Sequence, residues 1–157
     1  MINLSREIIL LFENKGFAVI SSLTQEGKIH CSVKGFAEAE RQGKIYFTDL
    51  FRTNTFHNLQ NNSIISVTVI DERQFIGFTL KGKGKIVEIA EFNSELIRKW
   101  NDVVVQRASK RVLRDIREEH KNSYHPEALF PKVQYIIEIE VEDIVDLTPA
   151  HLKRPTK

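Results

Sequence analysis

The first fifty residues hold three β-rich segments separated only by Gln25-Glu26-Gly27 and Arg41-Gln42-Gly43. Turns that short cannot carry a crossover, so each segment must lie antiparallel to the next. "GFAVISSLT" (16–24), "KIHCSVKGFAEAE" (28–40) and "KIYFTD" (44–49) therefore read as a meander. "SIISVTVID" (63–71) adds a β-branched fourth strand. "QFIGFTLKGKGKIVEIA" (74–90) is longer than most strands and contains Gly77, Gly82 and Gly84. Glycines inside a long strand mark a bulge or a sharp bend, which a closing barrel needs. "KVQYIIEIEVEDIVDL" (132–147) is the sixth strand, with Val133, Tyr135, Ile137, Ile139 and Val141 on one face. Gln134, Glu138, Glu140 and Glu142 fall mostly on the other.

Residues 4–15 fit an amphipathic helix carrying Ile8, Ile9, Leu11 and Phe12, stopped by Gly16. A short polar helix, 54–60, follows the third strand. From Phe92 to about Lys121 the pattern is helical again, with Asn93 or Ser94 as cap and Leu96, Ile97, Trp100, Val103 and Val104 as an apolar stripe. Ser109 can cap a second helix carrying Val112, Leu113 and Ile116, or the two are continuous. Pro126 and Pro131 bracket a loop. There is no repeat and no linker. The expectation is one domain over residues 1–157, mainly β (α+β): a six-stranded antiparallel split β-barrel with peripheral helices.

Composition narrows the function classes. The 23 basic and 21 acidic side chains are too balanced to point to nucleic acid or an acidic membrane. A single cysteine, Cys31, excludes a disulfide framework and a thiolate metal cluster, and reads as buried and inert. The five histidines show no ligand-pair spacing, so no metal site is expected. No apolar segment approaches the ~20 residues of a membrane span, and Arg6, Glu7 and Glu13 interrupt the N-terminal apolar run. A soluble, cytoplasmic protein is expected. Nucleophile-elbow, P-loop and dinucleotide motifs do not occur. Lys81, Lys83 and Lys85 share one face of the fifth strand, and Glu138, Glu140 and Glu142 one face of the sixth. If those strands are neighbours, the two stripes pair.

One stretch carries more polar groups than folding needs. In "GKIYFTDLFRTNTFHNLQNN" (43–62) a strand hands over to the short helix through "FRTNT". Thr53 can serve as an ordinary N-cap. Arg52, Thr53, Asn54 and Thr55 also place a guanidinium, two hydroxyls and an amide at a helix N-terminus, a ready phosphate site. Asp49 either opposes an anion there or orients Arg52.

The order of elements from "AVISSLTQEG" to "LKGKGKIVE", roughly residues 15–90, resembles the pyridoxamine 5'-phosphate oxidase-like family of flavin mononucleotide (FMN)-binding split barrels. That resemblance implies a homodimer with FMN at the subunit interface and a small-molecule substrate. By position, Ser32, Val33, Lys34 and Gly35 would follow the flavin ring edge, and Thr48 and Asp49 would sit where the third strand meets the cofactor. Arg52, Thr53, Asn54 and Thr55 would hold the phosphate, with Asn58 and Leu59 behind. The family often has Ser-Arg-Lys or Ser-x-Lys where this chain has Thr53-Asn54-Thr55, leaving Arg52 or Lys34 to replace the missing lysine. Ser32 stands where the true oxidases have a second phosphate-binding arginine, and their arginine-rich C-terminal substrate motif has no counterpart. The implied function is an FMN-dependent oxidoreductase or flavin reductase that is not a genuine pyridoxamine phosphate oxidase. A non-catalytic flavin module, a deazaflavin or haem barrel, and a scaffold that binds nothing remain open. The flavin would supply the redox chemistry, and no catalytic side chain stands out.

Overall fold

The computed structural model describes residues 2–92, 94–117 and 129–153. In chain order they form α1 (Arg6–Lys15), β1 (Phe17–Leu23), β2 (Ile29–Glu40), β3 (Lys44–Asp49), α2 (Asn54–Asn61), β4 (Ile64–Asp71), β5 (Ile76–Glu88), α3 (Ser94–Arg117) and β6 (Tyr135–Asp146). The six strands close into an antiparallel barrel in the order β1-β2-β3-β6-β5-β4. The three-residue turns deliver the β1-β2-β3 meander, and β6 returns to lie between β3 and β5.

Closure needs curvature, and glycine supplies it. The β5–β6 register shifts between Lys81 and Gly82. A Cβ at Gly82 would stand 1.9 Å from the carbonyl oxygen of Glu140, so only glycine lets the two backbones approach at this bulge. On either side of it the charged stripes pair, with Lys85 3.2 Å from Glu138, Lys83 3.5 Å from Glu142 and Lys81 3.3 Å from Asp143. The extra residue moves the last partner from the glutamate row to Asp143.

The barrel interior is apolar, with Ile20, Ile45, Phe47, Val67, Leu80, Ile137, Ile139 and Val141 fully buried. Helix α1 covers one mouth. Ser5 caps it through a 3.3 Å bond from the Ile8 amide, and Gly16 ends it in the left-handed conformation at φ +67°. Its Phe12 stacks on Phe36 at 5.7 Å and meets Phe47 edge-on at 6.0 Å. A smaller cluster lies on the outside of the barrel, where Leu96 and Trp100 of α3 cover Tyr46, Val133 and Ile136. This is why Tyr135, Ile136 and Ile137 are buried in succession, where simple alternation predicts that Ile136 faces water.

Helix α3 runs unbroken through Ser109, whose hydroxyl donates to the Val105 carbonyl instead of capping a second helix. Val112, Leu113 and Ile116 lie on this helix and are exposed. Asn93, Pro126 and the expected helical residues beyond Arg117 lie outside the described residues.

Candidate functional site

Two features of the chain meet at the end of β3. Asp49 is buried, and its Oδ1 accepts from the amides of Leu50 (2.8 Å) and Phe51 (3.4 Å), which turns the backbone toward α2. Its Oδ2 is engaged by the Lys34 ammonium at 2.6 Å and by the Tyr135 hydroxyl, which donates at 2.5 Å. Burial and this bond to Asp49 push the Tyr135 phenol well above its ordinary range. Asp49 therefore neutralises Lys34 and does not orient Arg52.

Arg52 has a different partner. Its guanidinium forks onto Glu88 through bonds of 2.9 and 2.6 Å and lies 4.7 Å above the Phe56 ring. That fork holds the Glu88 carboxyl below its usual range and raises Arg52. Thr53 precedes α2, but its side chain makes no capping bond. The amides of the first turn are thus left to another acceptor. Thr55 is buried and shares a 2.9 Å hydroxyl bond with Ser32, and the buried Asn58 donates to Ser22 at 3.0 Å. These two bonds anchor α2 to the barrel. Arg52, Thr53 and Asn54 stand exposed at its start.

Beside this turn, a cavity of about 750 Å³ opens between β2, β3 and α3. Val33, Lys34, Gly35, Thr48 and Asp49 form one wall, and Trp100, Val104 and Arg107 face them. Gly35 is what lets the walls meet. A Cβ there would fall 2.0 Å from Cη2 of Trp100. Thr48 donates across the strand pair to the Gly35 carbonyl at 3.3 Å, fixing the floor.

The expected cofactor residues therefore fall into two groups. Val33, Lys34, Gly35, Thr48 and Asp49 line the cavity, while Arg52, Thr53, Asn54, Thr55 and Asn58 belong to the α2 start, to which Ser32 is joined through Thr55. Cys31, expected to be buried, is exposed on the outer face of β2, within hydrogen-bond reach of Ser21 at 3.3 Å. Reading the sequence missed the cations of the opposite wall. Lys15, Arg107, Lys110, Arg111 and Arg114 also line the cavity. The last four recur at three, four and seven positions, the spacing of one helix face, which is a signal the sequence did carry.

The barrel has counterparts among solved structures. HupZ of Group A Streptococcus superposes with a TM-score of 0.62 at 13% identity, over 92% of this chain and 94% of its own. General Stress Protein 26 of Bacillus anthracis gives 0.60 at 19%, covering 91% and 93%. A putative pyridoxamine 5'-phosphate oxidase from Lactobacillus delbrueckii gives 0.59 at 12%, covering 91% and 93%. At such identities the likeness speaks for the fold alone. No curated protein matches in sequence. The family model for pyridoxamine 5'-phosphate oxidase, however, matches residues 4–125, most of the chain. On sequence and fold together, the chain belongs to the pyridoxamine 5'-phosphate oxidase family.

Proposed function

We propose that this protein is an FMN-binding flavoprotein that acts as an oxidoreductase or flavin reductase on a small molecule. The observation that carries this reading is the cavity in which Val33, Lys34, Gly35, Thr48 and Asp49 come together beside the start of α2. Family membership supports it, since FMN is the cofactor that the sequence resemblance implies. The donor set fits a phosphorylated flavin. The exposed Arg52 and Asn54, with the first-turn amides that Thr53 leaves uncapped, suit a phosphate. The apolar wall of Val33 and Trp100 suits a flat ring.

When bound, the flavin would supply the electron or hydride chemistry. The chain's own residues do the rest. Asp49 holds the Lys34 ammonium at the cavity wall by a 2.6 Å ion pair, positioned to meet an electron-rich edge of a ligand. Tyr135, kept protonated, fixes the carboxylate from behind. To grip phosphate, Arg52 must exchange Glu88 for it. Both side chains are at the surface, so the exchange is open to it.

A homodimer is part of the proposal. Phe17, Val19, Ile29 and Val33 leave apolar surface exposed along paired strands β1 and β2, next to the cavity. A second copy covering that face would complete the ligand site. We also infer a cytoplasmic location. No described helix is long and apolar enough to cross a membrane.

The test is a titration of purified protein with FMN and with riboflavin, alongside a light-scattering mass. FMN should bind at least tenfold tighter than riboflavin. Arg52→Ala should abolish that preference, and Glu88→Gln, which releases Arg52, should enlarge it. Equal affinity for the two flavins in all three proteins refutes the phosphate grip. The Arg52–Glu88 fork would then stand as a structural ion pair, in a barrel that takes an unphosphorylated ligand or none.

A further inference from the structure

Lysine ordinarily keeps its ammonium in water and is almost never buried without a partner. The Lys34 side chain is only 9% exposed, and the residue lines the cavity. Its ion pair with Asp49 is unequal in hydrogen-bonding capacity. Asp49 is saturated, because its Oδ1 accepts from the Leu50 and Phe51 amides and its Oδ2 takes the Tyr135 hydroxyl and the Lys34 ammonium. Those four partners fill the roughly four acceptor positions of a carboxylate. Lys34 is not saturated. An ammonium has three N–H donors, and Asp49 is the one acceptor it meets among the described residues. At least two donors are left over beside the cavity.

The pair therefore offers the cavity donors and no acceptor. Folding gains nothing from that surplus, since a buried donor without an acceptor is costly, most of all on a charged group. The surplus is also held in place. Tyr135 of β6 and the turn after β3 tie the carboxylate from behind, and the carboxylate holds the ammonium at 2.6 Å. Donors fixed in this way need no reorganisation when negative charge develops in front of them.

We propose that Lys34 favours the reduced state of the flavin, by meeting the ring edge on which negative charge gathers, and that Asp49 and Tyr135 are its positioning residues. The inference rests on the flavin reading and adds to it the direction in which the chain shifts the cofactor's redox balance. Two electrons from a reductant and one proton from solvent convert the neutral ring of FMN to the anion FMNH−. No bond to the protein forms or breaks. The added charge turns a hydrogen bond from Lys34 into the stronger contact between two ions. Asp49 opposes this with its own charge, but with both oxygens engaged it accepts nothing from the ligand.

The experiment is a dithionite titration of the FMN-loaded protein against a reference dye, with the affinity for oxidised FMN measured beside it. Together they give the ratio of reduced to oxidised affinity. Lys34→Met/Asp49→Asn removes both charges at once, so net charge is unchanged and no lone ion stays buried. In that variant the ratio should fall at least tenfold, a midpoint about 30 mV lower for a two-electron couple. Asp49→Asn alone, which removes the opposing charge and keeps the side chain's shape, should raise the ratio. A merely structural pair would weaken both forms of FMN alike and leave the ratio where it was. An unchanged ratio in the double variant, or a lowered one in Asp49→Asn, overturns the proposal and leaves the flavin reading standing. Wild type that binds no FMN overturns both.

Discussion

Replacing Gly35 by alanine tests the packing that shapes the cavity. A new Cβ would stand 2.0 Å from Cη2 and 2.3 Å from Cζ3 of Trp100, and 2.9 Å from Thr48 Oγ1, whereas ordinary contact begins at 3.4 Å. The indole must therefore withdraw by roughly 1–1.5 Å, pulling on the one part of α3 that is buried against the barrel. Backbone conformation adds nothing, since Gly35 lies in β2 without a positive φ. Overpacking of this kind costs about 1–3 kcal/mol. In a chain of this size that is roughly 2–12 °C of Tm. Trp100→Ala alone should cost about 3–5 kcal/mol. In the Trp100→Ala background only the 2.9 Å approach to Thr48 Oγ1 remains, so the Gly35 step should become much cheaper. The coupling between the two sites should then be at least ~1 kcal/mol. Trp100 is the sole tryptophan and is 6% exposed, so its emission reports the displacement directly as a red shift. Urea melts of the four proteins complete the cycle. An unshifted emission maximum with additive costs would refute the claim that Gly35 exists to admit Trp100.

Three further outcomes follow from the same geometry. Lys34→Ala leaves the buried Asp49 with only hydrogen-bond donors and should cost about 3–5 kcal/mol in urea unfolding, against ~1–3 for Tyr135→Phe. The phenols of Tyr46 and Tyr135 are both raised, chiefly by burial and then by bonds to Glu40 and Asp49, so their contribution is complete below pH 10 and fades as pH climbs past it. Absorbance titration should show both ionising only as the protein unfolds. Phe75, exposed in the β4–β5 turn at φ +54°, occupies a conformation unfavourable to a bulky side chain. Phe75→Asn should raise thermal stability by ~0.5–1 kcal/mol, measured by calorimetry.

Local chemistry made the strands legible. Three-residue turns, β-branched runs and strict alternation place β3 over residues 44–49 as expected, and the other strands to within three residues at each end. Closure of the ring was also readable, because Gly82 sits at the bulge that its sequence position suggested. Which face of a strand is covered was not readable. Cys31 and Ser21 pair on a wall that the described residues leave bare, so alternation alone could not say that Cys31 would be exposed. Long-range partners were hidden for a related reason. Asp49 lies three residues from Arg52 in sequence, yet folding hands it Lys34 and Tyr135. Arg52 is captured instead by Glu88, 36 residues away. The α3 cations were visible as a helical row, but the apolar residues beside them drew the eye, and only the fold reveals which side faces the barrel.

The position of β6 has a consequence for how this chain is made. Strand β6 hydrogen-bonds to β3 on one side and to β5 on the other, yet it is the last of the six to leave the ribosome. Until residues 135–146 emerge, β3 and β5 each present an unsatisfied backbone edge on a nascent, half-open ring. Such edges invite pairing with neighbouring chains. The interval between synthesis of β5 and of β6 is therefore when this protein is most exposed to aggregation and most in need of a chaperone, and insertion of β6 ends it.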